Sequence, residues 1–534
     1  SVVNNLASVV LTSVAVDVES KALVESEHEK NATIVEVRRP GFNNEAKLDR
    51  GSALRQVIAA FVANLGTINT GLVFGFSAVA IPQLEEADSF IKIDEEQASW
   101  IASLSSVSTP IGCILSGYLM DLIGRKRTLI MTEIPLIIGW LLISTSSTVE
   151  MIYVGRLLVG LGSGMVGAPA RVYTGEVTQP HLRGMLSALA SVGVSLGVTI
   201  EYALGAIVTW TVLAGISAAI PILALILIVF MPETPNWLLN HGRTEEAREA
   251  LKKFRGETCD VDKEMGILVD FAAKNNVVQL KSFKETLRAL TSPAALKPFI
   301  ILFTYFGIYQ FSGVNPVTFY AVQVFQESGA EMNKYLATVI LGIVRLLSTI
   351  AACISLRTCG RRPLTLISAI GCGLTMIGLG SYMYVREGWV AEGVQPTATW
   401  IPVACIFIFT VASTLGYLVV PWVMIGEVYP TQVRGIIGGL TTCSAHLFVF
   451  MVVKTFPLIQ HIASNHGSFW IYGSISLLGT IFFYLCLPET KGRTLQEIED
   501  YFSGRTKTLG GKGTKTLPGN KPKILEAEKG SMLP

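Results

Sequence analysis

Long apolar runs alternate with short polar loops along most of this 534-residue chain. Each run is about the twenty residues that a helix needs to cross a hydrocarbon layer about 30 Å thick. Six begin near Val57, Ala98, Thr128, Met151, Gly184 and Thr211, and six more near Pro298, Tyr335, Pro363, Trp400, Ile436 and Phe469. In lipid, a helix satisfies its own backbone hydrogen bonds, so the pattern predicts an all-α membrane protein of about twelve transmembrane helices. Between the two groups of six lies a charged stretch from Pro232 to Lys297, holding Arg243, Glu245, Glu246, Arg248, Lys252, Lys253 and Arg255. The expected order is an N-terminal segment (1–55), a six-helix bundle (56–231), a linker with short amphipathic helices (232–297), a second six-helix bundle (298–488) and a tail (489–534).

The halves repeat one another. Gly175-Glu176-Val177 is followed by Arg183-Gly184, and Gly426-Glu427-Val428 by Arg434-Gly435 with the same spacing. Gly124-Arg125-Lys126 is echoed by Gly360-Arg361-Arg362, and Pro232-Glu233-Thr234 by Pro488-Glu489-Thr490. Three pairs in one order at nearly one offset point to a duplicated six-helix unit, an architecture of secondary transporters whose solute site lies near the midplane between repeats.

Composition sharpens this picture. Half of the residues are hydrophobic, 15% are charged, and the mean hydropathy is +0.51. A net charge of +2 offers no global field for nucleic acid. Positive loops stay on the cytoplasmic side during insertion. Arg125 to Arg127, Arg183, the basic linker, Arg357, Arg361, Arg362 and Arg434 all fall on one side of the predicted membrane, which places both termini in the cytoplasm. The opposite first loop carries Glu85, Glu86, Asp88, Asp94, Glu95 and Glu96, an acidic exterior loop that needs no functional reading. The eight cysteines lack metal-ligand spacing or an exterior cluster, so neither metal nor disulfide is expected. No signal peptide is expected from the first fifty residues. Asn31-Ala32-Thr33 falls on the cytoplasmic segment, where it would stay unglycosylated. No nucleophile–base pair or phosphate-cradling loop appears in its proper context, so no enzyme and no cofactor are expected. A monomer suffices for a carrier of this kind.

The loop from Gly117 to Arg127 joins the second and third spans at the cytoplasmic surface. Its basic cluster suits topology alone, but Asp121 beside it serves no purpose in insertion and favours charges that exchange partners as helix ends move. This loop, the two Gly-Glu-Val…Arg-Gly turns, Pro232-Glu233-Thr234-Pro235, Gln310-Phe311-Ser312-Gly313-Val314-Asn315, Pro421-Trp422 and Pro488-Glu489-Thr490-Lys491-Gly492-Arg493 together resemble the sugar porter family of the major facilitator superfamily. Within it the chain looks most like insect facilitated trehalose transporter-like proteins, over roughly Val57 to Tyr501. The resemblance implies the two-bundle major facilitator fold in a cell membrane, most simply the plasma membrane, and facilitated transport of trehalose or a hexose, with a non-transporting sugar receptor of the same fold as the remoter alternative. It also implies a conformational lock built from Asp121, Gly124, Arg125, Glu176, Arg183, Glu233, Arg361, Glu427, Arg434 and Glu489, pairing across the halves when the inner gate is shut. Arg357 stands where the family usually has an acid.

Gln310 and Asn315 are amides in an apolar run, suited equally to sugar hydroxyls or to helix–helix bonds. Gly313 and Pro316 beside them can break the helix. By resemblance, Gln310, Asn315 and Tyr320 match sugar-contacting or gating positions, and Trp422 a ring that packs on the sugar. Ser191, Tyr309, Arg345 and His446 replace the usual amides and Asn-Trp pair, which opens the substrate to question. Arg345 lies twelve residues before Arg357, about 18 Å deep by helix rise, and could brace helices or hold an anionic solute. The first span carries no charged side chain, whereas proton-coupled relatives typically hold an acid there near an Arg such as Arg156. A quiet Arg156–Glu201 ion pair, and so uncoupled transport, is the expectation; proton titration of Glu201 is the alternative.

Overall fold

The computed structural model describes residues 51–506, except 87–88, 257–258, 277–282, 330–331, 431 and 494. The N-terminal segment with Asn31, the loop acid Asp88 and most of the tail lie outside the described residues.

The described chain is helical and lacks strands. The first bundle runs through α1 (Ala53–Leu84), α2 (Glu95–Ile123), α3 (Arg125–Ser144), α4 (Val149–Val177), α5 (Leu189–Gly205) and α6 (Trp210–Val229). The second begins with α7 (Pro293–Phe311), continued by the short helices Val314–Phe319 and Ala321–Glu327, then α8 (Lys334–Thr358), α9 (Arg361–Ala391) and α10 (Trp400–Val428). Its last helical stretch, Arg434–Cys486, is broken at Ser464, where φ is 65° and ψ 166°, and so supplies two crossings, α11 (434–463) and α12 (465–486). Among the described residues nine helices are long and apolar enough to span a bilayer. The shorter α5, the broken α7 assembly and the division at Ser464 bring the crossings to twelve.

Local chemistry sets the ends. Asp94 caps α2 in a reciprocal box with Gln97, its carboxylate accepting from the Gln97 backbone at 2.7 Å and its own N–H donating to Oε1 at 3.0 Å. Large apolar side chains such as Ile226, Leu347, Ile354 and Leu485 are exposed on the outer surface. In water they would form aggregating patches, whereas against lipid they cost nothing. Packing between helices instead uses small residues. A Cβ on Gly197 would lie 2.0 Å from the Ile68 carbonyl, one on Gly71 2.0 Å from that of Val194, and so α1 and α5 touch backbone to backbone. Gly160 and Gly164 do the same for α4 on α2, at 2.1 Å from the Ser105 and Thr109 carbonyls.

Between the bundles, helices Pro235–Asn240, Thr244–Arg255, Val261–Asn276 and Phe283–Leu290 form the linker. The buried Arg255 ties it to the first bundle. Its guanidinium donates to Glu264 at 2.7 to 3.0 Å and to the Val177 carbonyl at the end of α4 at 2.6 Å. The two halves meet mainly where α2 packs on α11, α5 on α8, and α1 on the short helices that continue α7.

Candidate functional site

The duplicated motifs form two matching clasps at one end of the molecule, hereafter the basic end. In the first, Glu233 accepts the backbone N–H groups of Arg125 and Lys126 at 3.0 to 3.1 Å, while the Arg125 side chain holds Glu176 at 3.0 and 3.2 Å and the Met120 carbonyl at 3.1 Å. In the second, Glu489 accepts the N–H groups of Arg361 and Arg362 at 3.0 Å, and Arg361 holds Glu427 at 2.6 and 3.2 Å and the Leu356 carbonyl at 3.3 Å. Carboxylates that accept several N–H bonds anchor a helix start strongly. Arg183 and Arg434 each turn back to a carbonyl five residues earlier, Thr178 and Tyr429. Asp121 is largely exposed, with one oxygen 3.8 Å from Arg125.

The pairing across the halves that the resemblance implies belongs to a shut inner gate, and it is not made in the state described here. Each clasp closes within its own half, and among the described residues no ion pair joins the halves. The physical reason is that each Gly-Glu-Val turn lies beneath the arginine of its own bundle.

The halves are instead joined by contacts other than ion pairs, mainly from the midplane to the opposite, acidic end. The Tyr202 hydroxyl on α5 donates to the Thr318 carbonyl at 2.6 Å, Phe74 meets Phe319 at 5.2 Å, and Thr199 donates to the Gly342 carbonyl at 2.8 Å. Lys454 on α11 donates to Ser99 at 2.6 Å and sits 4.1 Å above the Trp100 ring on α2. Toward the basic end the connection thins to Ser195 paired with Thr349 at 2.7 Å, Arg171 on α4, 5.6 Å above Trp422 of α10, and a weak bond from Cys443 to the Pro110 carbonyl. Arg171 lies six residues before the end of α4 at Val177.

The α7 assembly provides the midplane break. Gly313 adopts the left-handed conformation (φ 93°), ending α7, and Tyr320 interrupts the chain again. Gln310 and Asn315 flank the first break, both buried, with the Asn315 amide donating to Gln310 Oε1. Tyr309, also buried, lies 5.7 Å from Tyr417, and Phe306 meets the half-buried Trp422 edge-on at 5.0 Å. His446 approaches Trp422 at 5.9 Å with its Nδ1 buried and unpartnered. Thus Gln310, Asn315, Tyr309, Trp422 and His446 share one region. Tyr320 stands apart, donating to the Val453 carbonyl at 3.2 Å and packing on Phe456, and Ser191 is half-buried on α5.

Arg345 is buried on α8, donating to Thr318 at 2.7 Å beside a cavity of about 10 Å³, while its Nε has no partner. This bond ties α8 to the short helix Val314–Phe319. The expected Arg156–Glu201 ion pair is not formed, and this is a correction. Arg156 is buried and donates to the carbonyls of Val73 (3.0 Å) and Ile101 (2.9 Å) and the hydroxyls of Ser77 (2.7 Å) and Ser105 (3.1 Å). Glu201 turns toward α6, accepting from Ser217 at 3.0 Å, with Oε1 unpartnered. Helical periodicity does not fix which neighbour a side chain faces, and α1 and α2 reach Arg156 first.

Sequence reasoning passed over Arg171, Lys454 and the buried Glu133 on α3, whose Oε2 also lacks a partner. Their signal was present: each is a lone charge within an apolar run, the criterion that singled out Arg345.

A two-bundle helical fold and a broken helix at the interface define a secondary transporter of the major facilitator class. The profile of the family described as Sugar (and other) transporter matches residues 59–502, and the chain belongs to that family. It is 32% identical over 455 residues to a facilitated trehalose transporter Tret1 of Culex quinquefasciatus, covering 85% of this chain and 87% of the relative. Against the Bombyx mori protein of the same name it is 32% identical over 446 residues, covering 83% and 86%. The fold is shared with the inward-open xylose transporter XylE from E. coli (TM-score 0.67, 22% identity, 82% of this chain and 98% of that one).

Proposed function

We propose that this integral membrane protein is an uncoupled carrier for a neutral saccharide, trehalose or a hexose, working by alternating access. The observation that supports it best is the paired amides Gln310 and Asn315 at the α7 break, close to the aromatic group of Phe306, Tyr309 and Trp422. Amides match hydroxyls as both donors and acceptors, and an aromatic face covers the C–H face of a pyranose. The names of the trehalose-transporting relatives favour the same class. In this reading the basic end is cytoplasmic, both termini lie inside, the membrane is the plasma membrane, and the two six-helix bundles are divided by the linker in the order expected from sequence, with the clasps acting as the inner lock.

Uptake of labelled trehalose and hexoses into vesicles, with and without an imposed proton gradient, tests the proposal. Equal rates under both conditions are expected. Uptake that requires the gradient would favour a proton-coupled symporter instead, a reading that the unpartnered oxygens of Glu133 and Glu201 keep specific.

The site has its own test. Gln310→Ala and Asn315→Ala should each raise the half-saturating concentration about 2- to 12-fold, since each removes a hydrogen bond of about 0.5–1.5 kcal/mol. Arg345→Ala should lower the yield of folded protein, because it empties a buried brace, and leave solute preference unchanged. Unaltered affinity in both amide variants, with a changed preference in Arg345→Ala, would replace the neutral saccharide by an anionic solute.

A further inference from the structure

A cavity of about 370 Å³ opens at the basic end between the start of α3, the Pro232-Glu233 turn and the linker helix Thr244–Arg255. Four cations line it: Lys126, Arg127, Arg243 and Lys253. What matters is how many of these charges the protein itself neutralises. The Glu233 carboxylate is occupied by the backbone N–H groups of Arg125, Lys126 and Thr234, so it is committed to anchoring α3. Glu246 is taken by Arg243, at 2.7 and 2.5 Å. Lys126 Nζ donates to the Val229 carbonyl at 2.8 Å, a neutral partner. Arg127 and Lys253 are exposed and, among the described residues, form no ion pair. Three cations therefore face the cavity with Glu249 as the one uncommitted acid in its lining.

The walls are also fixed in place. Arg255, two residues beyond Lys253, is locked to Glu264 and to the end of α4, so the linker helix presents Lys253 toward α3 at a set position. A preformed cavity with convergent cations loses little on binding, and clustered Lys and Arg at the headgroup level attract polyvalent phosphate above all other common anions.

We propose that this cavity binds a phosphate-bearing anion, held by Lys126, Arg127 and Lys253, either as the headgroup of an anionic membrane lipid or as a free phosphate compound. Such a ligand bridges α3 and the linker beside Glu233.

Full-length protein in phosphatidylcholine nanodiscs, with and without a phosphoinositide, tests the lipid source, and soluble inositol trisphosphate added to lipid-free micelles tests the free one. The double variant Arg127→Gln with Lys253→Gln removes two exposed cations that no internal bond uses, so size-exclusion behaviour should match the wild type. Arg357→Gln, an exposed cation on the second bundle, controls for general surface attraction. Binding that weakens about tenfold or more in the double variant and stays unchanged in Arg357→Gln is expected. Binding to phosphoinositide discs alone identifies the lipid headgroup, and binding to the soluble compound as well identifies free phosphate. No binding by the wild type to either, or equal loss in the double variant and in Arg357→Gln, overturns the site.

Discussion

Replacing Arg156 by alanine is expected to be strongly destabilising and to lower the yield of folded protein. The guanidinium has no exposed surface and joins α4 to α1 and α2 through two carbonyls and two hydroxyls at 2.7 to 3.1 Å. Its removal opens a void and leaves several buried polar groups unsatisfied in a medium without water, a loss of about 3–5 kcal/mol. Against a total stability of about 5–15 kcal/mol, that lowers the folded-to-unfolded ratio by roughly two to three and a half orders of magnitude. Arg156→Lys should recover only part of it, since an ammonium cannot reproduce the planar fork. Monodisperse yield and the midpoint of thermal unfolding report the outcome, and a wild-type midpoint for the alanine variant would show that these bonds hold nothing.

The second large effect concerns the clasps. Arg361→Ala or Glu427→Ala should reduce the initial transport rate at least about tenfold per molecule at the membrane, since each removes charge-assisted hydrogen bonds of about 1.5–3 kcal/mol from a partly buried pair. Because the two partners belong to one bundle, the swapped variant Arg361→Glu with Glu427→Arg should regain part of the rate. Arg125→Ala and Glu176→Ala in the matching clasp should behave alike. Unchanged rates in the single variants would remove these residues from the conformational cycle, and a swap no better than either single change would show that the pair acts through something other than its mutual attraction.

Much of the fold is legible because lipid enforces it. The runs expected to begin near Val57, Ala98, Thr128 and Met151 start at Ala53, Glu95, Arg125 and Val149. They start earlier because helices continue past their apolar core into polar residues such as Gln56 and Glu96. The expected start near Gly184 is less good. Pro180–Leu186 forms a separate short helix and α5 begins only at Leu189, a break that hydropathy does not register. The α7 interruption was readable from Gly313, since a positive φ is cheap only for glycine, but the Ser464 break carried no such mark. Site residues divide along the same line. The amides and Trp422 stand out by type, while the partners of Arg156 and Glu201 depend on helix rotation, which an evenly apolar helix leaves unspecified.

The two clasps look interchangeable, yet their glycines are constrained differently. A Cβ on Gly124 would come 2.3 Å from a Glu233 oxygen and would also have to adopt φ 98°; on Gly360 it would come 2.1 Å from Glu489, but the backbone there is extended at φ −74°. A side chain at position 360 has only a carboxylate to push aside, whereas one at 124 must strain the main chain too. Gene duplication therefore delivered two copies of one clasp with unequal freedom to vary, and sequence drift has a wider path open to it in the second half than in the first.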